Sequence, residues 1–187
     1  MRLRTIAIVL LAASLTGACA RAQRPADLAL RAQFNAPYLL ASGDRVRVIV
    51  FGQDNLSNSF SVDGAGNISM PLIGRVNAQG LTTAELERVV EQRLRNGYVR
   101  EPHVSIEVEA YRPFFVLGEV TTAGQYPFIN AMTVQDAVAV AGGFTPRGAQ
   151  GDVDITRMVN GRLQTFAAPE NFPVRPGDTI KVRERFF

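Results

Sequence analysis

The sequence predicts an α+β chain, two small mixed units in succession behind a signal peptide. Three observations predict it. Two short segments carry helix-start signals followed by apolar stripes at helical spacing. Elsewhere beyond residue 36, runs that alternate apolar and polar residues are separated by Gly, Asn and Pro turns, as half-buried strands require. The chemistry-bearing residue types are sparse, with one Cys, one His and no Trp in 187 residues.

Met1 to Arg4 is a short positive region, and Ile6 to Leu15 is an apolar run of about ten residues, half of the roughly 20 that a bilayer span needs. Residues 1–20 therefore read as a secretory signal peptide. Two processing reactions fit its end. Leu15-Thr16-Gly17-Ala18-Cys19 resembles a bacterial lipobox that would make Cys19 the lipid attachment point, although the large aliphatic residue stands one place too early. Ala18-Cys19-Ala20 also fits ordinary cleavage after Ala20. Residues 21–35 are polar and alanine-rich, a flexible tether.

Folded sequence begins near Ala36-Pro37. Ser42-Gly43-Asp44 is a turn, and Arg45 to Phe51 alternates before becoming apolar, giving a first strand. Phe60–Val62 and Ile68–Leu72 flank Asp63-Gly64-Ala65-Gly66-Asn67, predicting a hairpin between them. Gly64 and Gly66 do not make a dinucleotide loop, because Ser69 stands where the third glycine belongs and a strand follows in place of a helix. Thr82 and Glu85 form a capping box with a Leu81–Leu86 staple. The helix so started has Leu86, Val89, Val90 and Leu94 on one stripe and stops at Gly97, with Tyr98 packed behind. After Pro102, Val104, Ile106 and Val108 alternate with polar residues, which places His103 on the polar face.

The second unit opens at Arg112-Pro113. Phe114 to Leu117 is a fully apolar strand, and Gln125 to Phe128 returns as an edge strand carrying Pro127. Thr133 and Asp136 cap a helix with a thin stripe of Val134, Ala137, Val138 and Ala141, ended by Gly142-Gly143. Val153–Val159, Arg162–Phe166 and Thr179–Val182 are further strands, the first two joined at Asn160-Gly161. Strand, strand, helix, then strands is a β-grasp order. Gly177-Asp178 ahead of the last strand repeats Gly43-Asp44 ahead of the first: a Gly turn, then an Asp placed to bind nearby backbone N–H groups.

Composition removes several function classes. The 20 basic residues exceed 17 acidic ones by three, but Arg2 and Arg4 lie in the signal segment, and without them the margin is one, with signs interspersed. No basic stripe remains for nucleic acid. A single Cys and a single His rule out an internal disulfide and an all-Cys/His zinc site. A nucleophile–base pair would have to be built from Ser and carboxylates alone. Asp152 and Asp154 share a strand face at about 7 Å, a spacing glycoside hydrolysis permits, yet they read more simply as two exposed acids at a strand start. No catalytic, metal or cofactor-binding residue is assigned, and no cofactor is expected.

Taken in order, these segments resemble the outer-membrane polysaccharide export family, the Wza-like proteins. The first part matches its polysaccharide export domain through Gly43-Asp44, Val62-Asp63, Ser69 to Val76, Gly80-Leu81-Thr82, Leu94 to Tyr98 and Pro102-His103-Val104. The second is similar to its soluble-ligand-binding β-grasp (SLBB) domain through Val116 to Val120, Ala123 to Tyr126, Ala141 to Thr145 and Pro176 to Val182. The resemblance implies domains at 36–111 and 112–187, a single β-grasp repeat and, since the sequence given stops five residues after Val182, a short member without the family's C-terminal pore helix. Phe186 and Phe187 would then be packing or interface residues. It further implies a non-enzymatic component of a capsule or exopolysaccharide export machine, exported to the periplasm or outer membrane. Its partners would be the polysaccharide, an inner-membrane Wzc-like co-polymerase, copies of itself in a ring and, through Cys19, the outer membrane. Asn67–Val76 and Gly142–Gly151 are the expected ring contacts. The alternative is a stand-alone periplasmic carbohydrate-binding module, against which the scattered Tyr38, Tyr98, Tyr111 and Tyr126 argue mildly, since they form no aromatic platform.

Overall fold

A computed structural model of the chain describes residues 37–159 and 161–185. The signal peptide, Cys19, the tether, Asn160 and the terminal Phe186 and Phe187 lie outside the described residues.

Strand β1 (Arg45–Val50) buries every second residue, Val46, Val48 and Val50, and pairs antiparallel with β2 (Asn58–Ser61) on one side and β5 (Val104–Ala110) on the other. Strands β3 (Asn67–Met70) and β4 (Gly74–Asn77) form a separate antiparallel pair. The helix between β4 and β5, α1 (Thr83–Arg95), has the expected capping box: Glu85 N–H donates to Thr82 Oγ1 at 3.2 Å, and Thr82 N–H donates to Glu85 Oε2 at 2.8 Å. Leu86, Val90 and Leu94 enter one core with Ile68, Val76 and the β1 valines. The free edge of β5 is satisfied by the same helix, since Ile106 N–H donates to Glu87 Oε1 at 2.8 Å and Val104 N–H to Glu91 Oε1 at 3.0 Å. Two strand-edge donors that would otherwise invite another strand are thus occupied.

The hairpin expected across Asp63–Asn67 is corrected by the pairing. Asp63 Oδ1 accepts from the Ala65 and Asn67 N–H groups, and Asp63 N–H reaches Asn67 O, so the turn closes tightly. The strands on either side nevertheless part, β2 to β1 and β3 to β4. The hairpin lies one segment later, at Pro71-Leu72-Ile73, where Leu72 adopts φ 67° and is 55% exposed. Leucine gives no turn signal, which is why Ile68–Leu72 read as one strand. Tyr98 is exposed, and Val99 instead closes the end of α1, its N–H donating to Leu94 O at 2.9 Å.

The second sheet has the order β7 (Gly124–Tyr126), β6 (Phe114–Gly118), β10 (Thr179–Val182), β8 (Val153–Val159), β9 (Arg162–Ala168). Only the central β6–β10 pair is parallel, and a parallel pair requires a crossover, supplied here by everything between. Helix α2 (Val134–Val140), capped by Thr133 and Asp136, lies on one face with Val134, Ala137 and Val138 against Phe114, Val116, Ile155 and Ile180. This is a β-grasp sheet. The apolar run Phe114–Leu117 is covered on one side only: Phe114 and Val116 are fully buried, while Phe115 and Leu117 stand on the open face, 39% and 44% exposed.

Gly118 shows why its position takes no side chain. It has φ 87°, and a Cβ there would run into the Val182 carbonyl oxygen across the parallel pair.

Candidate functional site

The two Gly-Asp turns meet at one residue, Arg112. Asp44 is fully buried at the start of β1 and accepts from Tyr38 Oη at 2.6 Å, Ala41 N–H at 2.8 Å and Arg112 N–H at 2.9 Å, with Arg112 Nη1 at 3.3 Å. Asp178, 1% exposed at the start of β10, accepts from Arg175 N–H at 2.8 Å and takes Arg157 in a fork, Nε at 2.8 Å and Nη2 at 2.7 Å. Each Asp therefore captures the N–H three residues before it and one guanidinium. A Cβ on Gly43 would lie 3.3 Å from Arg112 Cβ, and one on Gly177 would lie 2.8 Å from Arg112 Nε, so a side chain at either turn would press on Arg112 where it passes between them. Positive φ at both, 94° and 84°, also favours glycine.

Aromatic rings continue the junction. Tyr38, Tyr111 and Phe128 stack edge to face at 4.8 Å and 5.4 Å, linking residues on either side of Arg112. Burial, reinforced by the bond to Asp44, holds the Tyr38 hydroxyl protonated far above its ordinary range, so it remains a donor. Arg157 is 7% exposed, its guanidinium 5.5 Å from the Phe172 ring centre and 5.8 Å from that of Phe166. A cleft of about 600 Å³ opens beside the junction, its wall including Tyr38, Leu39, Arg112, Phe128, Arg157 and Arg175. Burial first, and then the neighbouring Arg157, lowers the pKa of Arg175 from its ordinary value.

This arrangement can hold two cores in one orientation. It offers no nucleophile beside a base. Among the described residues no group of three His, Cys, Asp or Glu side chains is placed to hold a metal.

The residues weighed from sequence are not brought together. His103 is exposed just ahead of β5, in the first core's sheet, whereas Asp152 and Asp154 belong to the second. Asp154 is held by Arg183 in a fork, Nε at 2.8 Å and Nη2 at 2.6 Å, which occupies both carboxylate oxygens. Asp152 is exposed. The Gly142–Gly151 segment is stitched to its surroundings: Thr145 N–H donates to Glu119 O at 3.0 Å and Ala149 N–H to Arg183 O at 2.8 Å. Sequence reasoning missed Arg112 and Arg157. The signal that points to them is the repeated Gly-Asp turn, since a buried Asp needs a cation or several N–H donors to be tolerated.

A two-unit α+β scaffold whose second unit is a β-grasp sheet, joined at an arginine held by paired Gly-Asp turns, defines the class. Comparison with known proteins names it. The family described as "Polysaccharide biosynthesis/export protein" matches residues 32–109, and the SLBB domain matches residues 113–167, so the two matches meet at the Arg112 junction. The chain belongs to the polysaccharide export family and carries an SLBB domain. Over 90 residues, 47% of this chain, it is 34% identical to "Exopolysaccharide production protein ExoF" of Rhizobium meliloti (strain 1021). Over 135 residues, 71% of this chain, it is 27% identical to "Polysialic acid transport protein KpsD" of Escherichia coli. The matched segments amount to 21% of ExoF and 24% of KpsD, so the match spans about a quarter of the length of these relatives or less.

Proposed function

We propose that this protein is a non-enzymatic component of a capsule or exopolysaccharide export machine. It works in the periplasm at the outer membrane, guides the polymer as one of several identical subunits about a closed axis, and docks on an inner-membrane co-polymerase. The observation that carries this reading is the ordered pair of an export domain and an SLBB domain joined directly at Arg112, with a polysialic acid transport protein similar across 71% of the chain. We place the domain boundary at that residue, 36–111 and 112–187. Among the described residues no helix is long and apolar enough to cross a membrane. Attachment through Cys19, by acylation, is the anchoring we propose; two or more acyl chains make such attachment stable. Intact mass decides between a mature chain starting at acylated Cys19 and one starting at Arg21.

Identical subunits around an axis meet through unlike surfaces. The exposed, left-handed Leu72 at the β3–β4 tip supports that hairpin as one side of the contact. Deleting the gene tests the function: surface polymer is expected to disappear while lipid-linked repeat units persist. Normal surface polymer in the deletion strain would refute it.

A further inference from the structure

Among the described residues the two larger sheets have four edge strands, and three of them are blunted. On β5 the Glu87 and Glu91 carboxylates occupy the Ile106 and Val104 N–H groups. β2 is four residues long, and Asn58 Oδ1 takes its Ser59 N–H at 2.8 Å. β7 has three residues and runs into Pro127. β9 carries no such device: its seven residues pair with β8 in unbroken register, with no Gly, no Pro and one charge, Arg162, at the first position. Val159 faces Arg162 across a two-residue connection, which makes that closing pair a hydrogen-bonded one. Bonded and non-bonded pairs then alternate along the ladder, so Leu163, Thr165 and Ala167 aim their N–H and C=O groups away from β8. Thr156 and Thr165, whose Oγ1 atoms lie 2.8 Å apart, form one of the closer, non-bonded pairs. Among the described residues no hydrogen bond reaches these six groups from beyond the edge.

The geometry points to this edge as a strand-pairing site for a second copy of the chain, β9 against β9 antiparallel about a two-fold axis through Thr165. Only extended main chain presents donors and acceptors at the spacing of the six groups, so the occupant is a strand. The sequence of β9 selects itself. In the two-fold register Thr165 faces Thr165, Leu163 faces Ala167, Gln164 faces Phe166 and Arg162 faces Ala168 of the second copy. All six groups are then satisfied, two bonds forming in each of the pairs Leu163–Ala167, Thr165–Thr165 and Ala167–Leu163. The two Arg162 side chains stand at opposite ends, about 20 Å apart along the strands, so no like charges oppose. Leu163, 69% exposed, meets a residue small enough to leave it room, and part of its surface leaves water. Thr–Thr pairs across strands are favourable in their own right. The contact joins like surfaces, so it is separate from the unlike-surface contact around a closed axis and does not rest on the export reading.

A seven-residue strand buries less surface than the roughly 1,200–2,000 Å² of stable complexes, so the dissociation constant should fall between about 1 μM and 1 mM. Sedimentation equilibrium of the purified full chain is expected to show concentration-dependent pairing. Thr165→Lys sets two cations opposite each other and should weaken that pairing about tenfold or more, with melting temperature near wild type because Thr165 is exposed. The register is read by disulfide trapping on a Cys19→Ser background, which removes the chain's one native thiol. Opposed Thr165 Cα atoms lie about 5.5 Å apart, within the span of a disulfide, so Thr165→Cys should give a covalent dimer under mild oxidation. Thr156→Cys, one strand further in on each side, places its own Cα atoms about 14 Å apart and should not. Monomer at every concentration up to about 1 mM, pairing indifferent to Thr165→Lys, or equal trapping at positions 156 and 165 would each overturn the inference.

Discussion

Replacing Asp178 by Asn tests whether the paired Gly-Asp turns hold the structure together. The carboxylate accepts three hydrogen bonds, two from Arg157 and one from the Arg175 N–H. An amide of the same shape must turn its NH₂ toward one of these donors, leaving a buried guanidinium without its counter-charge. Breaking a buried pair by removing one partner costs about 3–5 kcal/mol. Here the side chains are 8% and 1% exposed, so little water can compensate. Asp44→Asn makes the same change where the Arg112 side chain is 27% exposed, and partial solvation lowers the expected loss to about 2–3 kcal/mol. For a chain of this size each kcal/mol is worth roughly 2–4 °C in melting temperature, so calorimetry should place both variants well below wild type, with Asp178→Asn the lower. Arg112→Ala with Asp44→Asn should be less destabilising than the sum of the two single changes, because they share one interaction. Both Asn variants within about 0.5 kcal/mol of wild type, or the reverse order, would refute the reasoning.

Three further outcomes are expected. Gly118→Val should fold poorly or not at all, because positive φ and the Val182 carbonyl both oppose it, whereas a Cβ on Gly143 meets nothing within 4 Å, so Gly143→Ala should lose only what its φ of 82° costs, about 1–2 kcal/mol by denaturant titration. Replacing Glu87 and Glu91 together by Ala should strip the acceptors from the Val104 and Ile106 N–H groups, lower stability by about 1–3 kcal/mol and promote association through the freed β5 edge, read by light scattering. Glu85 and Asp136 are held below their ordinary values of 4.5 and 3.8, chiefly by the backbone N–H groups of Thr82 and Thr133. The stability each contributes is therefore fully present above those values and lost as pH falls through the lower folded-state value; Glu85→Gln with Asp136→Asn should flatten the acid limb of stability against pH.

Turns and caps were legible in the sequence because their chemistry is local. Thr82 with Glu85, Thr133 with Asp136 and the glycines after each helix carry their own instructions, and the succession of strands and helix along the second unit follows from where they fall. Pairing partners were less legible. Whether Ile68 joins the strand before it or the one after depends on distant surfaces, and Leu72 in a left-handed turn contradicts its own propensity. Burial of charge was hidden for the same reason. Arg157 occupies an inward position of an alternating strand, and only Asp178, 21 residues later, explains why it is tolerated. The apolar run at Phe114 likewise gave no sign that half of it faces outward, because period-two burial leaves no trace where every residue is apolar.

The central claim is that this protein moves polymer and does not make or cut it. Pulse–chase labelling of sugar in a deletion strain, with polymer separated into cell-retained and surface fractions and sized by gel filtration, tests it most directly. The account predicts that label stays in lipid-linked and cell-retained material, that total incorporation falls little, and that the wild-type gene restores the surface fraction. Surface polymer of normal amount and altered length, or purified protein that shortens the polymer by itself, would contradict it.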